Sequence, residues 1–194
     1  MTCIVAVKGP DKIVIGGDSA GVSGWDITIR KDSKVFTNGP FVMGFTTSFR
    51  MGQVLMDMPT PHQKKSHDDF KFMRTSFIDS VHRIFEEKGV MQKKEEVKEC
   101  GEFIVAYRGE VYKIDADFQV EIQSVPYSAC GVGQSYALGA LAMMDTNGYS
   151  IDEPRKACIR ALQIAEQFSG GVRGPFNIIE IPKVIEKPKP EDFE

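Results

Sequence analysis

Residues 2–18 read TCIVAVKGPDKIVIGGD. Two β-branched runs, CIVAVK and KIVIGG, flank the turn tripeptide Gly9, Pro10, Asp11, a pattern that predicts a β-hairpin. Both outer ends of this hairpin carry a polar residue. Thr2 stands directly behind the start methionine, and Asp18 follows the second strand. A carboxylate turned into a core is strongly unfavourable unless it is paired, and Lys34 is a candidate partner. Read singly, Asp18 is equally a turn residue beside Ser19, and Lys34 an edge-strand lysine.

Working outward, KVFTNGPFVMGFTT (34–47) gives a second pair of short strands around Asn38, Gly39 and Pro40. SFRMGQVLMDM (48–58) changes to helical spacing and is stopped by the two prolines of PTPH. DDFKFMRTSFIDSVHRIFEEKG (68–89) places Phe70, Met73, Phe77, Ile78, Val81, Ile84 and Phe85 on one stripe. Asp68 and Asp69 cap its start, and Gly89 marks its end. The charged run at 86–99 mixes both signs and reads as a solvated helix end and loop.

EFIVAYR (102–108), GEVYKIDA (109–116) and DFQVEIQ (117–123) predict three further strands. SACGVGQ leads into a helix over SYALGALAMMDTNG (135–148), and DEPRKACIRALQIAEQFSGG (152–171) is another. FNIIEIPKV (176–184) is a last strand. Strands, two helices, strands, two helices and a strand make an α+β chain. If each helix pair covers the outer face of a sheet, the two sheets bury their other faces against each other, a four-layer αββα sandwich. One domain over 1–183 and a charged, proline-rich tail over 184–194 follow from this order.

Composition narrows the function. The chain has 194 residues, 42% of them hydrophobic, and a formal net charge of −3. That balance supplies no basic field for nucleic acid. No apolar run is long enough to span a bilayer and no signal-peptide pattern opens the chain, so no membrane is implied and a cytoplasmic protein is expected. Cys3, Cys100, Cys130 and Cys158 have no CxxC spacing, which argues for reduced thiols rather than disulfides or zinc. The three histidines, His62, His67 and His82, leave little for a histidine-based triad, and no metal centre is expected.

Thr2, Asp18 and Lys34 together fit one chemistry. A threonine hydroxyl needs a base beside it, and an N-terminal threonine carries one in its own α-amine, which titrates near neutrality. A buried lysine favours the neutral amine by charge repulsion, and an aspartate holds that lysine in place. Such a site requires removal of Met1, which a small second residue permits.

TCIVAVK, IVIGGDSAG, KDSKVF, FVMGFTTSF, CGVGQSYALGAL and AEQFSGG resemble the catalytic β subunits of the proteasome and the HslV peptidase, from Thr2 to about Ile181. The resemblance implies the αββα N-terminal-nucleophile hydrolase fold and a threonine-type endopeptidase. Thr2 falls on the nucleophile, Asp18 and Lys34 on the pair behind it, and Ser169 on the serine near the threonine's amine. Glu166 stands where the family usually has aspartate, and Val132 where it has serine. Ser48 takes the place of the glycine whose backbone N–H faces the oxyanion. Gly21, Asp32, Phe36, Thr46 and Arg50 fall on the pocket for the substrate side chain, with Asp32 and Arg50 either reading a polar residue or forming a surface pair.

The same resemblance implies stacked hexameric or heptameric rings fed with unfolded protein or peptide by an ATP-dependent unfoldase or capped by an α-type ring. The chemistry requires no cofactor, although the family accommodates a structural cation near residues 168–174. Two other classes stay open from the sequence: a noncatalytic ring or scaffold subunit, favoured by Val132 and a retained Met1, and an amidase using the same N-terminal chemistry on small amides.

Overall fold

A computed structural model of the chain describes residues 1–64, 66–94, 97–146 and 152–183. The expected tail over 184–194 lies outside the described residues. The opening hairpin forms as its pattern requires: β1 (Ile4–Lys8) and β2 (Lys12–Gly17) pair antiparallel, and the turn closes with Gly9 N–H donating to Lys12 O at 2.9 Å.

Next come β3 (Ala20–Ser23), β4 (Asp26–Ile29), β5 (Val35–Asn38), β6 (Phe41–Phe45) and the helix α1 (Phe49–Asp57). The second long helical stretch comprises α2 (Asp69–Phe72), a π-helical turn over Met73–Phe77, and α3 (Ile78–Glu87). Asp68 caps its start by accepting from Lys71 N–H at 2.6 Å, and Gly89 follows its end at φ +63°. Beyond it lie β7 (Gln92–Lys94), β8 (Val97–Glu99), β9 (Phe103–Tyr107), β10 (Glu110–Ile114), β11 (Val120–Glu121), β12 (Tyr127–Cys130), α4 (Gln134–Thr146), α5 (Pro154–Phe168) and β13 (Asn177–Pro182).

Two larger antiparallel sheets organise these elements, with strand orders β12-β1-β2-β13 and β11-β10-β9-β6-β5. An apolar cluster of Ile4, Ala6, Ile13 and Ile15 from the first sheet with Val35, Val42, Ile104 and Val111 from the second lies between them. A second cluster joins Val5, Val7 and Val14 to Ala157, Ala161, Leu162 and Ala165 of α5 and Leu141 of α4. The third joins Met43, Phe45 and Val105 to Leu55 of α1 and Val81 and Phe85 of α3. The alternation within β1 explains this division: Ile4 and Ala6 face one cluster, Val5 and Val7 the other. At Gly44 a Cβ would come within 2.6 Å of Ile4 Cγ2, so the residue permits the close approach of the two sheets.

Three sequence expectations need correction. DFQVEIQ is a strand only at β11, because Phe118 adopts φ +69° and Asp115 N–H closes a turn on Gln119 O at 3.0 Å. The 86–99 run is not all helix end and loop, since β7 and β8 pair within it. A small sheet, β3-β4, and the strand β12 are additional to the expected elements.

Candidate active site

β1 lies between β12 and β2, with Ile4 opposite both Cys130 and Gly17. Thr2 thus stands two residues ahead of a strand paired on both sides, and it is 3% exposed. Asp18 follows directly from β2 and is wholly buried; its carboxylate is saturated by four donors. Oδ1 accepts from Lys34 Nζ at 2.9 Å and from Cys3 N–H at 2.9 Å, while Oδ2 accepts from Ala20 N–H at 2.9 Å and Arg173 N–H at 3.3 Å. Lys34 enters from the start of β5, with no solvent exposure of its side chain. The pair is thus buried and hydrogen-bonded together, the condition under which two such charges tolerate burial.

Electrostatics at the chain start follow from this burial. Desolvation, then the Lys34 charge, holds the Met1 amine below its ordinary value, with Asp18 opposing. Burial likewise lowers Lys34, against the pull of Asp18. The neighbouring Cys3 thiol is pushed up to about 12 by burial and then by Asp18, so it stays protonated and does not compete as a nucleophile.

Thr2 Oγ1 donates a hydrogen bond to Met1 O, and Thr2 O accepts from Gly133 N–H at 3.3 Å. The turn that provides this contact depends on Gly131, whose φ is +92° and whose Cβ would meet Thr2 O at 2.4 Å. Met1 and Val132 separate two clefts. One, about 540 Å³, is lined by Val22, Trp25, Ile27, Arg173 and the backbone of 169–171. The other, about 330 Å³, is lined by Thr2, Thr46, Thr47, Glu102, Gly131 and Gln134.

The remaining expected residues divide between these clefts and other places. Ser169 and Glu166 shape the loop after α5: Ser169 Oγ accepts from Gly171 N–H at 3.4 Å, and Glu166 Oε1 from Gly174 N–H at 2.9 Å. Ser169 also lines the larger cleft. Ser48 caps α1, accepting from Met51 N–H at 3.2 Å, and its own N–H donates to Thr46 O at 2.7 Å. That bond closes a γ-turn on Thr47, at φ +68°. Thr47, one residue earlier than Ser48, faces the cleft with Thr2, and its N–H has no partner among the described residues.

The expected Asp32–Arg50 pair does not form. Asp32 is bound by Arg30, at 2.6 Å from Nη2, and Arg50 lies with Gln53, Asp57 and Lys88 around a separate cavity on α1 and α3. The reason is helical geometry: Phe49 and Arg50 point about 100° apart. It is the Phe49 ring that sits 3.8 Å from the Arg30 guanidinium and 5.7 Å from Lys34 Nζ. Gly21 lies against Arg30, where a Cβ would meet Arg30 Cδ at 3.0 Å. Phe36 packs on Phe45 with ring centroids 6.3 Å apart, and Thr46 Oγ1 donates to Glu102 O at 2.9 Å.

Sequence counting therefore missed Thr47, Phe49, Glu102 and Gln134. The only available signal was the polar run Thr46, Thr47, Ser48 after β6, which does not reveal which amide turns inward. Among the described residues no helix is long and apolar enough to cross a membrane, and no group of three or more His, Cys, Asp or Glu side chains is placed to hold a metal ion.

No protein-family profile and no curated protein matches the sequence. Solved structures do match the fold. BPH of Thiobacillus denitrificans superposes with a TM-score of 0.75 at 16% identity, over 95% of this chain and 100% of that one. A structure of the same protein in complex with epoxomicin gives 0.74 at 16% identity, over 93% and 98%. HslV from Trypanosoma brucei gives 0.65 at 20% identity, over 93% and 99%. The chain has the mixed α+β fold of the HslV and proteasome-like proteins.

Proposed function

We propose that the chain is a threonine-type endopeptidase subunit of the N-terminal-nucleophile class, with the four-layer αββα sandwich of that class and Thr2 as nucleophile once Met1 is removed. The observation that carries this reading is the wholly buried Asp18–Lys34 pair, whose carboxylate accepts from the N–H of Cys3, the residue next to Thr2. The free Thr2 amine takes the hydroxyl proton, Oγ1 attacks the peptide carbonyl, and the amine returns the proton to the leaving nitrogen. Water then cleaves the resulting ester and restores Thr2.

The tetrahedral oxyanion needs a backbone donor. Ser48 N–H is bound to Thr46 O, so the donor in this reading is the N–H of Thr47, a residue that lines the cleft with Thr2 and whose N–H is unpaired among the described residues. Ser169 and Glu166 act as positioning residues by setting the 169–174 loop beside the chain start. Assembly into stacked six- or seven-membered rings served by an unfoldase or α-type ring, in the cytoplasm, belongs to the same reading. No cofactor takes part in the reaction. A structural cation on main-chain carbonyls of 168–174 takes no step in it.

A second reading, a noncatalytic ring or scaffold subunit, is favoured by Val132, which puts an apolar side chain beside the 169–171 loop, 2.9 Å from where a Cβ on Gly171 would stand, in place of the expected hydroxyl. Intact mass before and after incubation with a peptide epoxyketone separates the two. The reagent closes a ring using both hydroxyl and free amine of an N-terminal threonine. Loss of Met1 and one adduct per chain, absent in Thr2→Ala, is the expected result. Retained Met1 or an unreactive Thr2 selects the scaffold.

A further inference from the structure

The smaller cleft beside Thr2 contains hydrogen-bond acceptors that the protein itself does not use. Gln134 Oε1 is buried without a hydrogen-bond partner among the described residues. The carboxylate of Glu102 makes no ion pair within 4 Å among them, and no lysine or arginine lines the cleft. Glu102 is also well anchored, since its carbonyl accepts both Thr46 N–H at 3.0 Å and Thr46 Oγ1 at 2.9 Å. The larger cleft differs in chemistry: Val22, Trp25 and Ile27 make it apolar, and its charged side chain is Arg173.

Removal of Met1 opens one side of this cleft and leaves the walls formed by Glu102 and Gln134 in place. A buried acceptor and a carboxylate on its walls call for a group that brings several donors and a positive charge. Lysine offers three N–H donors and arginine five, with no acceptor on either. An acidic side chain would meet like charge and leave Gln134 Oε1 unsatisfied, which rejects it twice over.

We infer that the Glu102–Gln134 cleft selects a lysine or arginine side chain of the peptide, at a position flanking the bond that Thr2 cuts. This inference rests on the peptidase reading above and adds a substrate preference to it. The bound cation pairs with Glu102 and donates to Gln134 Oε1, both charge-assisted interactions in a partly desolvated site.

The test uses the Met1-free protein and a set of internally quenched peptides that differ at one residue, lysine, norleucine or glutamate, placed in turn on each side of the cleaved bond. Lysine is expected to exceed norleucine in kcat/KM by about tenfold at one position, with glutamate lowest. Glu102→Lys should invert the order of the lysine and glutamate peptides, and Gln134→Leu should narrow the lysine preference. A merely structural defect lowers all three peptides together. If the charge swap fails to fold, the wild-type comparison and Gln134→Leu still decide. Equal rates for lysine and norleucine at every position, or an unchanged order in Glu102→Lys, overturn the inference and leave the peptidase reading standing. No cleavage together with no epoxyketone adduct overturns both.

Discussion

Asp18 and Lys34 meet at 2.9 Å with neither side chain exposed, yet the two are not equally provided for. Asp18 has three backbone N–H donors besides the lysine, whereas among the described residues Lys34 Nζ has Asp18 alone as a hydrogen-bond partner. Asp18→Ala therefore strands a buried ammonium and frees three amides at once, and it should destabilise the fold by about 3–5 kcal/mol. Lys34→Met leaves a carboxylate that is still hydrogen-bonded and should cost clearly less. Urea unfolding of both variants measures the difference. Equal losses would mean that the backbone donors contribute nothing.

The chain-start amine gives an activity prediction. Burial and Lys34 hold the Met1 amine below its ordinary value, and the same two causes are expected to act on a Thr2 amine freed by processing. The reaction needs this amine neutral, so kcat/KM should rise with pH through an apparent pKa below about 8. A pH profile of the processed protein checks it, and an acid limb at or above that value contradicts the expected field.

Stability should follow the opposite course at alkaline pH. Cys3, Cys130 and Cys158 are wholly buried, and desolvation raises all three thiols. Their contribution is complete below the unfolded value near 8.5 and is lost as pH rises beyond it, at about 1.4 kcal/mol per pH unit for each. Lys34, lowered by burial, opposes with one proton over part of the same range. Cys100, also pushed up to about 12 by burial, adds to the fall, so the net expectation is a loss of stability as pH rises above about 8.5 in reducing buffer. Denaturant midpoints between pH 8 and 10 measure it, and Cys158→Ala should flatten the slope by about one proton.

Thr47 is a β-branched residue at φ +68°, a backbone conformation that costs such residues on the order of 1–3 kcal/mol. Thr47→Gly releases that strain, returns part of it as chain entropy, and keeps the backbone N–H proposed as the oxyanion donor. The variant should melt roughly 2–4 °C higher and retain hydrolysis. A lower melting temperature would show that the hydroxyl contact with Thr46, at 3.1 Å, outweighs the strain.

Much of this is legible in the sequence alone. The β1–β2 hairpin, the caps at Asp68 and Gly89, and the meeting of Asp18 with Lys34 all follow from local pattern or from the cost of burying charge. The β3-β4 hairpin was not readable, because every residue of β4 is exposed and no alternation marks it. Beyond Phe45 the spacing itself misleads. The γ-turn at Thr47 engages the Ser48 amide with Thr46 O, and the first turn of α1 brings Phe49 rather than Arg50 against Arg30. Backbone reversals of that kind depend on tertiary contacts, which residue counts do not carry.

Met1 lies across the boundary of the two clefts, against Val132 and Gly171, with β1 paired on both edges immediately behind it. Because β1 is held on both edges, a segment joined ahead of Met1 has to leave past the mouths of both clefts, like a stopper on a short leash. A purification tag at that end would cover them, and an inert preparation made in that way would say nothing about the untagged protein.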